Sequence, residues 1–517
     1  MAVLEGRACG KRRNCGTRVV PIAADGSNPP VNAARQIAER LDAVQRIVER
    51  VRATPRPYRG LVRRTVADAL RAAAGAPLLC AILLGGCDGA DSSERDALEL
   101  WAMGSEGEVV ETLLPEFRRR HPDIEVRVQR LPWSAAHEKL LTAHVGGTMP
   151  DVFQLGNTWI PEMVALGALE PLQARASAST SVVLADYFPG VLDTNLIGDD
   201  GKEDTPGAHD TRRALHERTE KLRLYSLPWY VDTRLLFYRS DLLERAGVAQ
   251  PPQTWAQWLA AMDRVRRSAG DSRYAIFLPV DEWQPPVILA LQRNARLLRD
   301  GDRFGNFRSQ PVREAMAFYL SLFEGGMAPQ RAAAQIANLY QEFGAGYFTF
   351  FITGPWNLRE LDKRLPKSLA WSTAAMPAPQ EPGPGLSLAG GASLGIASTS
   401  QRKDAAWKLL EYLAEPAQQA AFYRASGSLP ARRSAWDDPS LAGDVRAQAF
   451  RVQLERVVAT PKIPEWERIA SKISLYVERM VRGDVTLEQG LADLDADVDA
   501  VLEKRRWMVD ERTGAPD

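Results

Sequence analysis

Tryptophan is where this sequence concentrates its binding chemistry. All 13 Trp residues lie downstream of Cys87 in the 517-residue chain. Trp133, Trp159, Trp229, Trp283, Trp356 and Trp466 fall in stretches that read as loops or connecting segments, whereas Trp255, Trp258 and Trp407 read as helix or core packing. Glu106 and Asn157 follow predicted strands, and Asp232 stands three residues after Trp229. An indole offers an apolar plane, while carboxylates and amides offer planar hydrogen-bonding groups. Together they suit a ligand with an apolar face and a hydroxyl rim, which describes a sugar ring. Core packing accounts for Trp133 and Trp159 equally well.

Motifs for reactive chemistry fail when their context is tested. Gly391-Ala-Ser393-Leu-Gly395 has the spacing of a nucleophile elbow, but a strand pattern continues through Ile396 where a helix should start. All five histidines (His121, His137, His144, His209, His216) also precede Ser393, against the triad order of that fold. His137-Glu138 opens a zinc-protease string, yet Leu141 holds the second ligand position. Asp493, Asp495, Asp497 and Asp499 lack the turn glycine of a calcium loop and alternate with helix-spaced Leu491, Leu494 and Val498. They read as a solvated helix face. Asp232, Asp281 and Glu282 are candidates for a glycosidic acid pair, whose separation is a three-dimensional quantity, but they also serve as ordinary solvated or hydrogen-bonding acids. No Walker A string exists, and no cofactor or metal is expected.

Composition sets the class. Hydrophobic residues at 45% and charged residues at 25% are ordinary for a globular chain, and the length suits two to four domains. Lys+Arg and Asp+Glu are 65 each, so the net charge is zero, which argues against nucleic acid as a partner. That zero hides two unlike parts. Residues 1–86 carry 15 basic and six acidic side chains, a net of +9, which leaves −9 on the remaining 431. At the junction Arg63, Arg64 and Arg71 precede an apolar stretch, Ala72 to Leu84, and then Gly85-Gly86-Cys87, the layout of an export signal.

Leu83-Leu84-Gly85-Gly86-Cys87 resembles the bacterial lipoprotein cleavage box, in which that Cys becomes the lipidated N-terminus. The resemblance implies a signal peptide over 62–86, acyl chains on Cys87, and a polar tether over 87–96. Residues 1–61 are then expected to be a non-native extension from a start assigned too early, the alternative being a genuine basic N-terminal extension. Asp88 resembles the signal that retains lipoproteins on the inner membrane. Cys9, Cys15 and Cys80 all lie upstream of Cys87, so the mature body holds no thiol pair.

From Leu98 the pattern alternates strand and helix: Leu98–Met103, an apolar-periodic helix around Val109–Phe117, Ile124–Val128, a helix from Ala135 to His144, then Asp151–Leu155. Such an order predicts a parallel α/β sheet whose ligands meet the carboxyl ends of the strands, here Met103–Glu106 and Leu155–Trp159. Pro115 inside the first helix predicts a kink or a late start.

Gly146-Gly147-Thr148-Met149-Pro150-Asp151-Val152-Phe153 resembles the "G…PDV" step of extracellular solute-binding proteins of bacterial ABC transporters, in the sugar-binding, maltose-binding-protein-like family. Further strings are similar in the same order. They are Leu166–Leu172, Leu227–Arg234 running into Leu236–Arg239, Pro251–Trp255, Thr353–Trp356, Met376–Pro379, Gly390-Gly391 and Gly427–Pro430. The resemblance spans about 97–507 and implies a two-lobed periplasmic-binding-protein fold of α/β lobes, with hinge-crossing segments and a ligand cleft between lobes. Lobe 1 is expected over 97–228 plus 377–435, lobe 2 over 229–376 plus 436–507, and a tail over 508–517. Gly198–Arg223, charged and Gly/Asp-rich, departs from the family pattern and reads as a surface loop insertion.

By the same resemblance, Trp356 and Trp466 match stacking aromatics, and Trp229 and Asp232 lie at the cleft floor. Glu106 and Asn157 point into the cleft as hydroxyl partners, while Trp159 and Trp283 are ligand-binding candidates from their own type and predicted loop positions. Gly390 and Gly391 let backbone approach the ligand, and Arg234 faces either Asp232 or the ligand. The expected protein is a non-catalytic, monomeric, lipid-anchored periplasmic component of an ABC importer, passing a saccharide to the permease transmembrane subunits. The alternatives are a secreted glycoside-active enzyme, the same fold binding a non-sugar such as a glycerol phosphodiester, and a sensor subunit.

Overall fold

The computed structural model describes residues 97–198, 222–270, 273–336 and 338–513, all within the compact unit Ser92–Asp517. The export signal, Cys87 and the tether lie outside these residues, as do 199–221 of the insertion. Among the described residues no helix is long and apolar enough to cross a membrane.

In chain order the strands of the two main sheets begin with β1 (Leu98–Met103), β2 (Val126–Leu131), β3 (Val152–Gly156) and β4 (Ser226–Asp232). They continue as β5 (Leu235–Tyr238), β6 (Tyr274–Phe277), β7 (Phe348–Thr353), β8 (Ser372–Ala374), β9 (Gly390–Ile396) and β10 (Leu429–Pro430). The first sheet runs β10-β4-β9-β3-β1-β2 and the second β8-β5-β7-β6. As the strand–helix alternation requires, β1 pairs in parallel with both β2 and β3. Beyond β3 the sheet turns antiparallel through β9, β4 and β10.

The helices that matter for the site are α1 (Glu106–Arg120), α2 (Trp133–Gly146), α3 (Gln284–Gln292), α4 (Trp356–Arg364), α5 (Pro416–Ser426), α6 (Trp466–Arg482) and α7 (Leu487–Val501). β3 is buried along its whole length, as a strand covered by helices on both faces must be. α1 starts at Glu106 and continues through Pro115, earlier than the sequence pattern predicts. Pro115 sits on the solvent face, where water can satisfy the carbonyl it leaves unpaired. One apolar cluster under the first sheet gathers Trp101, Phe153, Leu155 and Ile160, and another packs α6 and α7 onto the second.

The lobe boundaries differ from those expected. β4 pairs with β9 as far as Asp232, so residues 229–232 stay in the first sheet and the chain crosses at Thr233–Arg234. The Pro-rich run Met376–Pro384 folds back on itself: Pro377 bridges Pro384, and the Gly385 N–H donates to the Met376 carbonyl at 2.6 Å. The crossing proper is the segment after it, where Ser387–Leu388 pairs with Val457–Val458. Trp436 packs edge-on against Phe188, so the chain has not yet left the first lobe there. The segment after Val458 rests on the helix Pro189–Asp193 through a buried Lys462–Asp193 ion pair at 3.1 Å. The insertion emerges from a clasp in which Leu196–Gly198 pairs antiparallel with Leu222–Leu224.

The acidic helix is not simply solvated. Asp495 accepts from the Phe307 and Arg308 N–H groups and Asp499 from that of Gly305, so α7 fastens the 305–308 loop. Among the described residues no cluster of three or more His, Cys, Asp or Glu is placed to hold a metal.

Candidate ligand-binding cleft

The cleft forms where strands end. After β1 the chain enters α1 at Glu106, and after β2 it enters α2 at Trp133. β3 leads into a single 3₁₀ turn, Asn157–Trp159, and β4 ends on Asp232. From the second sheet β7 leads into α4, whose first residue is Trp356, while Trp283 and Gln284 stand at the start of α3.

These segments enclose two adjoining chambers. The inner, of about 270 Å³, is walled by four indoles, Trp133, Trp159, Trp283 and Trp356, with Asn157, Asp232, Arg234, Gln284, Gly390 and Glu467 between them. The outer, of about 840 Å³, is lined by Glu106, Tyr230, Lys363 and Ser428 among others. Both include Trp133, Asp232, Trp356 and Gly391. The aromatic wall is well supported. Trp133 meets Trp159 edge-on with centroids 5.8 Å apart, and the His137 ring backs Trp159 at 4.9 Å. His137 is held by Glu162 at 2.6 Å, and that bond raises the imidazole pKa against the opposing effect of burial. Trp356 lies across Gly354, where a Cβ would run into the indole.

The polar groups are oriented before any ligand arrives. Asn157 donates to the Gly390 carbonyl at 3.1 Å and accepts from Ser393 Oγ at 2.9 Å. The elbow-like Ser393 is thus a buried mid-strand residue that orients an amide. Burial raises the Asp232 carboxyl pKa, opposed in part by the Arg234 guanidinium and the Gly391 N–H. Arg234 is 3.7 Å from Asp232 and also stacks on Trp356 at 4.6 Å, so it touches both the acid and the aromatic wall. Thr158 donates to Glu467 of α6, a hydrogen bond from one lobe to the other.

Of the residues singled out in the sequence, Glu106, Asn157, Trp159, Asp232, Trp283, Trp356, Gly390 and Gly391 lie together on the cleft wall. Trp229 and Trp466 do not. Trp229 is 2% exposed and packs on Phe422 at 4.4 Å, while Trp466 has no exposure and props Trp283 edge-on at 5.3 Å. Both serve the cleft from beneath. Their neighbours Tyr230 and Glu467 take the lining positions. Period-two alternation relative to Asp232 points to Tyr230, whereas no local signal singles out Glu467.

Glycines 390 and 391 answer first to protein contacts. A Cβ on Gly390 would overlap the Asp232 carboxylate, and Gly391 has φ of +109° with Val231 Cα 2.7 Å from where its Cβ would be. Asp281 and Glu282 do not line either chamber. Asp281 accepts the Ala333 N–H at 2.9 Å, and the Glu282 carboxyl pKa is raised by burial.

Fold and cleft together define a two-lobed α/β binding protein with an aromatic, acid-bearing cleft. Residues 103–420 match the family of bacterial extracellular solute-binding proteins, and the chain belongs to it. The chain is 47% identical to the sugar-binding protein MalE of Xanthomonas citri, covering 80% of this chain and 98% of that one with a TM-score of 0.73. It is 24% identical to the diacetylchitobiose binding protein DasA of Streptomyces coelicolor, over 76% of this chain and 87% of that protein. With the galactooligosaccharide-binding protein of Bacillus subtilis it shares 21% identity over 77% and 88%.

Two outcomes follow from this geometry. Trp356 is 48% exposed and Trp466 fully buried, so alanine at each separates binding from packing. Trp466→Ala should cost about 3–5 kcal/mol in urea unfolding. Trp356→Ala should cost under about 1 kcal/mol while weakening ligand affinity about tenfold in calorimetric titration. The second outcome concerns pH. Because the Asp232 pKa is raised in the fold, its contribution to stability is complete below the ordinary value of 3.8 and is lost as pH rises through the folded value. Asp232→Asn should therefore raise the melting temperature at pH 7, and the gain should shrink as pH falls toward that range. A gain that grew on acidification would contradict the burial argument.

Proposed function

We propose that this protein captures a saccharide between its lobes and delivers it to the transmembrane subunits of an ABC importer, without catalysing a reaction. The observation that carries the reading is the inner chamber, where four indole planes surround a space with carboxylate, amide and guanidinium groups at its rim. Sugar C–H faces stack on such planes, and fixed acceptors and donors sort the hydroxyls. The 47% identical MalE, named as a sugar-binding protein, supports the same reading. A phosphodiester fits less well, because in the inner chamber Asp232 and Glu467 outnumber the single guanidinium of Arg234.

The cleft uses both lobes, so ligand contact favours their approach and the closed form becomes what the permease recognises. The family is extracellular. We further propose that the mature protein works as a monomer held at the inner membrane by lipid on Cys87.

A thermal-shift and tryptophan-fluorescence screen of maltose, maltotriose, diacetylchitobiose, galactobiose, mannitol and glycerophosphodiesters tests the ligand class. At about 100 times Kd a true ligand adds about 2.7 kcal/mol, a melting shift of about 3 °C for a folded body of this size. A shift with phosphodiesters alone would overturn the sugar reading. Metabolic labelling with a palmitate analogue tests the anchor: the wild type should carry label in the membrane fraction and Cys87→Ser should not. Equal labelling of both would remove Cys87 from the mechanism.

A further inference from the structure

A chain of hydrogen bonds crosses the first sheet beneath the outer chamber and ends on Glu106. The Met103 N–H, at the end of β1, donates to Gln154 Oε1 at 2.8 Å. Gln154, fully buried in β3, extends its Nε2 to Tyr230 Oη at 3.2 Å, and Tyr230 lies in turn 2.9 Å from Glu106 Oε1. A backbone N–H can only donate, and this fixes every later direction. It assigns the Gln154 oxygen to β1 and its NH₂ to Tyr230. The phenol then accepts from Gln154, so its single proton must go to Glu106. Burial and the adjacent Glu106 both push the Tyr230 pKa well above its ordinary value, which keeps that proton in place.

We propose that Gln154 and Tyr230 are positioning residues that hold Glu106 as a one-sided acceptor, so that the outer chamber selects a ligand carrying a donating hydroxyl at that point. This rests on the saccharide reading of the cleft. Tyr230 occupies one carboxylate oxygen, while Oε2 has Ser105 Oγ at a marginal 3.5 Å and is left to meet the ligand. A carboxylate so held accepts and never donates, so a sugar whose hydroxyl there is replaced by fluorine or O-methyl loses its partner. Glu106→Gln would keep the Tyr230 contact through the amide oxygen and present NH₂ outward, inverting the preference.

Two measurements test this, the first without ligand. With ¹³Cζ-tyrosine in equal H₂O and D₂O, a slowly exchanging phenol gives a split Cζ line. The Tyr230 line, assigned by its loss in Tyr230→Phe, should be split in the wild type and single in Glu106→Ala. A single line in the wild type, or splitting that survives Glu106→Ala, overturns the relay. The second is a double-mutant cycle with maltose as probe. Gln154→Leu and Tyr230→Phe should each weaken binding about tenfold, yet Gln154→Leu should add less than about twofold on Tyr230→Phe. Additive losses would make Gln154 a packing residue and overturn its role. If no sugar binds the wild type, the saccharide reading fails, while the Tyr230 line still decides the relay.

Discussion

The cleft depends on how closely β4 and β9 approach at Gly390–Gly391. A side chain at either position would occupy space taken by Asp232 or by the β4 backbone. The approach has three consequences. It leaves Asp232 at the seam of the two chambers, puts the Gly390 carbonyl within reach of Asn157, and hands the chain to Arg234 at the crossing. It also accounts for the positive φ of Gly391, which an L side chain adopts only under strain. One backbone contact therefore sets the acid, the amide and the guanidinium of the site together.

The site divides its work between two kinds of interaction. Indoles need no charged partner, and those of the wall rest on one another, on His137, on buried Trp466 or on Arg234. Carboxylates are costly to desolvate, and each one here has a partner: Arg234 for Asp232, Tyr230 for Glu106, Thr158 for Glu467. Such partnering keeps acceptors in position, and orientation gained before binding reduces the ordering cost on binding.

How much was legible in the sequence follows from the periodicities. Alternation revealed the first three strands, their parallel order and the strand ends at Glu106 and Asn157, because a buried face imprints a pattern over several residues, whereas the segments of Asp232, Trp356, Gly390 and Trp466 were legible through the family resemblance. Which residue of a segment faces the cleft is a one-residue question. In a helix one step rotates the side chain by about 100°, and in a strand it changes face. Thus Trp229 and Trp466 mark the right segments, while Tyr230 and Glu467 line the chambers. Aromatic type itself misleads here, since a large apolar ring is as useful below the floor as on it. The glycines were legible as sites of close approach, but β4 and Asp232, rather than a ligand, are what require them.

The distribution of the wall between lobes bears on closure. Trp133, Trp159, Asn157 and Asp232 follow strands of the first sheet, whereas Trp283, Gln284, Trp356 and Glu467 belong to elements packed on the second. A ligand stacked only on the first set would bind equally well to open and closed forms and shift nothing, however tightly it bound. Contacts to the second set, Trp283, Gln284, Trp356 and Glu467, are the ones through which a ligand can favour the approach of the lobes. Arg234 stands at the junction of the two sets, on the crossing itself, touching Asp232 on one side and Trp356 on the other. A single residue of the crossing segment thereby contacts the acid of one set and the aromatic wall of the other.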